Sequence, residues 1–193
     1  MAHTKSSKIV VMGDVSVGKT SILTQYIKGT FDQFNESTIG AAFLSKQLQS
    51  KSGERVNLEI WDTAGQERYD SLLPMYYRGA NVILLIFSLN DPVSFNNLRT
   101  RWLKTAENHT LDPLVFIIGN KSDLQQRVPD EDIQQLVDEY GNLESFKVSA
   151  QNNEGLDDMF QHIVEKIVEY ESFKDVTPFT KITGPVVKKK GCC

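Results

Sequence analysis

Ile9-Val10-Val11-Met12-Gly13-Asp14-Val15-Ser16-Val17-Gly18-Lys19-Thr20-Ser21-Ile22-Leu23 is the stretch that decides how this chain folds. Four apolar residues lead, as in a buried strand. Ser21 to Ile27 follows with the pattern of a helix. Between them, Gly13 to Thr20 reads G-x-x-x-x-G-K-T, the P-loop pattern, in the strand–loop–helix setting that pattern needs. Gly13 and Gly18 have no Cβ, so the backbone there can wrap closely around an anion. Successive N–H groups and the helix N-terminus then face the charge. Lys19 brings a cation to the β- and γ-phosphates, and the Thr20 hydroxyl can ligate Mg²⁺. The plainer reading, a glycine-containing turn before an ordinary helix, leaves eight matched positions and both flanks unexplained. The motif points to a nucleoside triphosphate, but not to its base or to the use of its energy.

The totals allow one domain of ordinary soluble type. The chain has 193 residues, 40% of them hydrophobic and 24% charged, enough for a proper core. A net charge of -4 gives no sign of nucleic-acid binding. No apolar N-terminal segment resembles a signal peptide, and Ala2 is expected to exclude N-myristoylation. The longest apolar runs, Val82–Phe87 and Leu114–Gly119, are too short to cross a bilayer. The only cysteines are Cys192 and Cys193, so no disulfide framework is expected, and a reducing compartment fits.

Outward from the P-loop, residues 1–7 are polar and expected to be flexible, and Gly29 is a plausible stop for the first helix. Phe31 to Ser37 reads as a polar loop with two aromatics, ending at Thr38-Ile39-Gly40. A strand over Ala42–Gln49, a turn at Ser50–Gly53 and an alternating strand over Val56–Trp61 suggest an antiparallel pair at a sheet edge, the second strand with one exposed face. Glu67–Arg78 has helical character interrupted at Pro74. Val82–Phe87 is a fully buried strand, and Asp91-Pro92 opens a helix whose Phe95, Leu98, Trp102 and Leu103 are most simply core. Val115–Ile118 is the next buried strand. A helix opens at Asp130, Phe146–Val148 is a last short strand, and Leu156–Tyr170 is an amphipathic final helix. His3, His109 and His162 show no ligand-like clustering and read as surface residues. Residues 8–171 thus form the domain, and residues 172–193 read as a flexible tail carrying Lys188-Lys189-Lys190 before Gly191-Cys192-Cys193.

Two further stretches carry chemistry. Asp62-Thr63-Ala64-Gly65-Gln66 follows an apolar strand. The Asp62 carboxylate can bind Mg²⁺ directly or through water, the Gly65 N–H can approach a γ-phosphate, and Gln66 can orient an attacking water. Asn120-Lys121-Ser122-Asp123 also follows a buried strand. The Asp123 carboxylate can accept from both N1–H and the 2-amino group of guanine, a donor pair adenine lacks. Asn120 can tie this loop to the P-loop, and the Lys121 stem can lie over the purine.

Together G-D-V-S-V-G-K-T, S-T-I-G-A-A-F, W-D-T-A-G-Q-E-R-Y, N-K-S-D and S-A-Q resemble the Ras-like small GTPases. W-D-T-A-G-Q-E-R-Y with Met75–Ala80 and the terminal Cys-Cys looks like the Rab family, and Glu36–Phe43 is similar to its early-endosome branch. The resemblance implies an α/β P-loop GTPase fold: a mostly parallel six-stranded sheet with one antiparallel edge strand and helices on both faces. It implies a slow GTPase that uses GTP, GDP and Mg²⁺ and recruits effectors when GTP-bound. Gln66 becomes the catalytic residue. Gly13, Ser16, Val17, Gly18, Lys19, Thr20, Ser21, Phe31, Thr38, Gly65, Asn120, Lys121, Asp123, Ser149, Ala150 and Gln151 become nucleotide contacts. Among these, Phe31 lies beside the guanine, and Ala150 donates its N–H to the guanine oxygen. Thr20, Thr38 and Asp62 become the metal set, while Phe43, Trp61 and Tyr76 match the trio that Rab effectors read. For these three, core packing is the plainer reading, and for Trp61 both can hold.

Two positions depart from the family pattern. Val15 stands in the P-loop where Gly, Ser or Asp is common, and Gln151 stands where Lys is usual. The implied partners are an exchange factor, a GTPase-activating protein, a GDP dissociation inhibitor or Rab escort protein, and effectors. No nucleic acid and no second copy are implied. Cys192 and Cys193 resemble the Rab ending that receives two geranylgeranyl groups, which hold a membrane where one chain would not, helped by Lys188–Lys190. The expected place is the cytoplasmic face of endosomal membranes, with cycling through the cytosol. Two other classes share the P-loop. An ATPase or small-molecule kinase leaves N-K-S-D without a purpose. A nucleotide-binding interaction protein that scarcely hydrolyses stays open because of Val15.

Overall fold

The computed structural model describes residues 4–33, 37–107, 113–141 and 143–176. His3, His109, Phe34, Glu36, the Lys188–Lys190 run, Cys192 and Cys193 lie outside the described residues. Six strands form one sheet in the order β2-β3-β1-β4-β5-β6: β1 (Lys5–Met12), β2 (Ala41–Gln49), β3 (Arg55–Thr63), β4 (Val82–Ser88), β5 (Leu114–Asn120) and β6 (Glu144–Lys147). All neighbours run parallel except β2 and β3, joined by the Ser50–Gly53 turn. This is the P-loop GTPase arrangement expected from the sequence.

The helices lie on both faces because the strand side chains alternate. In β4, Val82, Leu84 and Ile86 join a core with α1 (Lys19–Lys28) and α6 (Leu156–Val176). Ile83, Leu85 and Phe87 join the opposite core with Leu73 of α2 (Leu73–Tyr77), Phe95 of α3 (Pro92–Asn97), Leu103 of α4 (Leu103–Glu107) and Ile133 of α5 (Asp130–Tyr140). Both faces of β4 are therefore sealed, which is why its sequence is a continuous apolar run. β1 sits where the strand order reverses, between β3 and β4. Crevices open at the carboxyl ends of strands at such a point.

Several local expectations are corrected. β1 starts at Lys5, inside the stretch expected to be flexible. Its polar start is held by the ladder, Lys5 opposite Val56, and by Lys5 ion pairs to Glu54 and Glu171. Pro74 does not interrupt a helix: Glu67–Leu72 is a 3₁₀ turn, and Pro74 sits in the first turn of α2, where its missing N–H costs nothing. The second face of β3 is half-buried, because β2 pairs along it at Glu59 and Trp61, and Tyr76 of α2 lies against Trp61. The last strand, β6, is Glu144–Lys147, with Val148 just beyond its end. α6 continues to Val176, past the end of the apolar stripe. His162 is half-buried, with Nε2 2.5 Å from a Glu144 oxygen and its ring against Phe146.

Between α3 and α4 the chain makes a π-helical stretch, Leu98–Trp102, with the Leu103 N–H bonded to the Leu98 carbonyl. The apolar spacing gave no sign of it.

Candidate nucleotide site

The loop after β1 is shaped by close approaches. A Cβ on Gly13 would fall on the Ile86 carbonyl oxygen, and one on Gly18 would fall on the Asn120 side-chain nitrogen. Both glycines also hold φ angles, 148° and 94°, that other residues rarely adopt. α1 then begins at Lys19 with Gly18 as its cap, no capping side chain and no acid in the first turn. Its first N–H groups are thus left to an outside acceptor.

The Lys19 ammonium lies in this cradle, donating to the Gly13 carbonyl at 2.9 Å and the Asp14 carbonyl at 2.7 Å. Lys19 is buried, and burial pushes its pKa down to about 8 despite the Asp62 and Asp14 charges. A desolvated cation hydrogen-bonded to neutral carbonyls favours an anion beside it.

Three hard oxygen donors converge next to it. The Thr20 hydroxyl donates to Asp62 Oδ2 at 2.6 Å and lies 2.8 Å from the Thr38 hydroxyl. Thr38 comes from the loop before β2, and Asp62 from the end of β3. Asp62 is buried, and burial is the main cause raising its carboxyl pKa. Its Oδ1 is buried without a hydrogen-bond partner. An all-oxygen set with an orphaned carboxylate oxygen fits a hard divalent cation that keeps waters and substrate phosphates in its shell.

The cleft has two ends. Val15, Lys19, Thr20, Thr38, Gly65 and Gln66 line the phosphate end, about 480 Å³ of open volume. The base end, about 840 Å³, is lined by Phe31, Asn120, Lys121, Asp123, Ala150 and Gln151. Ser16, Gly18 and Ser21 belong to both, so the two are one trough. A ligand with a phosphate end and a base end suits this continuous trough.

The base end is fastened to the P-loop as the sequence suggests. Asn120 donates to the Val17 carbonyl at 2.9 Å, and the Lys121 ammonium donates to the Ser16 carbonyl at 2.8 Å. The buried Ser149 hydroxyl donates to Asp123 Oδ1 at 2.5 Å, fixing the carboxylate. The Ala150 N–H donates to Asn120 Oδ1 at 3.2 Å, so a base oxygen would take over or share a donor already used. Val17 is buried in the core beneath the loop, and its part in the site is its carbonyl.

Sequence reasoning missed Asp32, Gln33 and Leu124, which also line the trough but belong to no motif, and Ser37, which opens the S-T-I-G-A-A-F stretch but carries no assigned contact. On the neighbouring surface Phe43, Trp61 and Tyr76 form one aromatic row, with ring centroids 5.4 Å and 5.8 Å apart. Ile39, just before β2, and Met75, in α2, are 79% and 63% exposed and extend its apolar character.

The fold and the trough define a P-loop nucleotide-binding protein of the GTPase class. A sequence model described as "Ras family" matches residues 8–169. The chain is 34% identical to the Ras-related protein Rab5A of Oryza sativa subsp. japonica, covering 98% of this chain and 95% of that one. It is 39% identical to the GTP-binding protein ypt5 of Schizosaccharomyces pombe, over 85% of this chain and 79% of the relative. It is 34% identical to the Ras-related protein Rab-7a of Paramecium octaurelia, over 96% of each. The chain belongs to the Ras family and, within it, to the Rab GTPases.

Proposed function

We propose that this protein binds GTP and GDP with Mg²⁺, hydrolyses GTP slowly, and recruits effectors to a membrane, an endosomal one, while GTP is bound. One observation carries the reading: Thr38 and Gly65, from two separate loops, meet the P-loop at the phosphate end of the trough. A Cβ on Gly65 would stand 2.5 Å from the Asp14 carbonyl oxygen and the Val15 nitrogen, so its backbone lies directly on that loop.

Lys19 and the N–H groups of the cradle bind the phosphates, and Asp123 selects guanine. Thr20, Thr38 and Asp62 would hold Mg²⁺, which when bound neutralises charge on the β- and γ-phosphate oxygens. Gln66, next to Gly65, orients the attacking water. Loss of the γ-phosphate removes what holds Thr38 and Gly65, and both loops are released. Phe43 and Tyr76 sit just beyond these loops, so an effector that reads the aromatic row reads the nucleotide as well. The endosomal assignment draws on Glu36–Phe43 and on relatives named Rab5A and ypt5.

Competition binding and single-turnover assays with Mg²⁺ test the core of this. GTP should bind far more tightly than ATP and be converted to GDP. Preference for ATP would return the chain to the ATPase or kinase class, and tight GTP binding without turnover would make it a non-hydrolysing interaction protein.

Membrane attachment is proposed to run through prenyl groups on Cys192 and Cys193. Replacing both with Ser should leave GTP binding unchanged and move the protein from the membrane to the cytosolic fraction of cells. A double variant that still sediments with membranes would rule out this anchor.

A further inference from the structure

Asp14 is a P-loop residue whose side chain the nucleotide reading gives no contact with the ligand. Its carboxylate turns away from the phosphate cradle, and both oxygens are taken by the helix on the other side of the sheet. Oδ1 accepts from the Trp102 indole N–H at 2.7 Å, and Oδ2 accepts from the Asn97 amide at 2.7 Å. Asn97 and Trp102 are five residues apart. In an α-helix they would diverge by about 140°. The π-helical stretch Leu98–Trp102 brings positions five apart round to one side, and π turns are frequent at functional sites.

Arg101, the neighbour of Trp102, reaches a different partner from the same turn. Its guanidinium stacks on the Trp102 ring at 4.3 Å. It donates through Nη2 to both oxygens of Asp70, at 2.5 Å and 2.6 Å, and its Nη1 lies 3.9 Å from Glu67. Asp70 and Glu67 belong to the 3₁₀ turn that begins immediately after Gln66. One short helical segment thus grips the P-loop with one side chain and the Gln66-bearing loop with the next.

We propose that Trp102 and Arg101 are positioning residues for hydrolysis. The π turn braces the Gln66 loop against the P-loop, so that Gln66 is held over the phosphate end of the trough. This rests on the GTPase reading and adds that the register of Gln66 is set from outside the trough. Neither residue lines the trough, so nucleotide affinity is not their task.

The test uses the full chain. Single-turnover GTP hydrolysis and GDP affinity are measured for wild type, Trp102→Phe, Arg101→Gln, Asp70→Asn and the double variant Arg101→Gln/Asp70→Asn. Arg101→Gln and Asp70→Asn should each slow hydrolysis about two- to five-fold, the scale of a partly exposed ion pair. GDP affinity should stay within two-fold. The double variant should be no slower than either single one, because both cut the same link. Trp102→Phe keeps the core filled and removes the N–H, and should slow hydrolysis in the same way. The swap Arg101→Asp/Asp70→Arg should recover part of the rate. Wild-type rates in all variants, additive losses, or a loss of rate matched by an equal loss of GDP affinity would overturn the proposal while leaving the GTPase reading intact. A wild-type protein that binds no GTP would instead overturn the reading beneath it.

Discussion

Asp123→Asn is expected to lose GTP affinity by about two to four orders of magnitude and to gain affinity for xanthosine triphosphate. Two bonds from guanine to a carboxylate, at about 1.5–3 kcal/mol each, set that range. The variant amide offers a donor where guanine also donates, so one bond becomes a clash of like partners. Xanthine carries an oxygen at that position and accepts from the amide. The geometry favours a clean exchange of preference. Asp123 is held by the Ser149 hydroxyl, which still finds an oxygen in the variant, and Asn120 and Lys121 keep the loop tied to the P-loop. Competition between the two triphosphates on wild type and variant measures it. A variant that keeps the wild-type preference for GTP would remove Asp123 from base reading.

Much of this architecture is legible in sequence because it is carried by short-range chemistry. The P-loop follows a strand for a geometric reason, and Gly13 and Gly18 are needed where backbone and Asn120 crowd the loop. The continuous run in β4 and the alternation in β3 announce sealed and half-covered strands. Three loops separated by tens of residues converge because each follows one of the strands β1, β3 and β5, which run parallel in one sheet, so their motifs can be read together from the sequence.

What stayed hidden depends on tertiary partners. Trp102 is 1% exposed, and its spacing with Phe95, Leu98 and Leu103 says only that it is core. Nothing in that pattern reports its N–H bond to Asp14, because a π turn shifts which residues share a side. The polar start of β1 was missed for a related reason. Its strand character comes from pairing with β3, not from its own side chains. Pro74 shows the converse: the sequence reads it as an interruption of a helix, whereas the 3₁₀ turn before it makes the proline a beginning.

The second large effect is expected at Val15. This side chain is 47% exposed and lines the phosphate end of the trough with Thr38, Gly65 and Gln66. A GTPase-activating protein must bring a cationic or polar group into the same space. Val is β-branched and stiff at χ1, so it cannot readily turn aside. GTP affinity should be ordinary, since the cradle N–H groups and Lys19 bind the phosphates. The stimulated reaction should suffer, because an inserted arginine contributes ~10³–10⁵ in rate and partial exclusion forfeits much of it. Val15→Gly should therefore raise the stimulated single-turnover rate by about 10²-fold or more and change GTP affinity little. The added freedom of glycine costs roughly 0.5–1 kcal/mol of stability, too little to unfold the domain. The comparison is wild type against Val15→Gly, each with and without a GTPase-activating protein that acts on Rab proteins. Ser16, which holds a left-handed φ of 62°, marks a loop whose path could already clear room beside Val15. If the two proteins are stimulated equally, that local path has accommodated the valine and the steric argument fails.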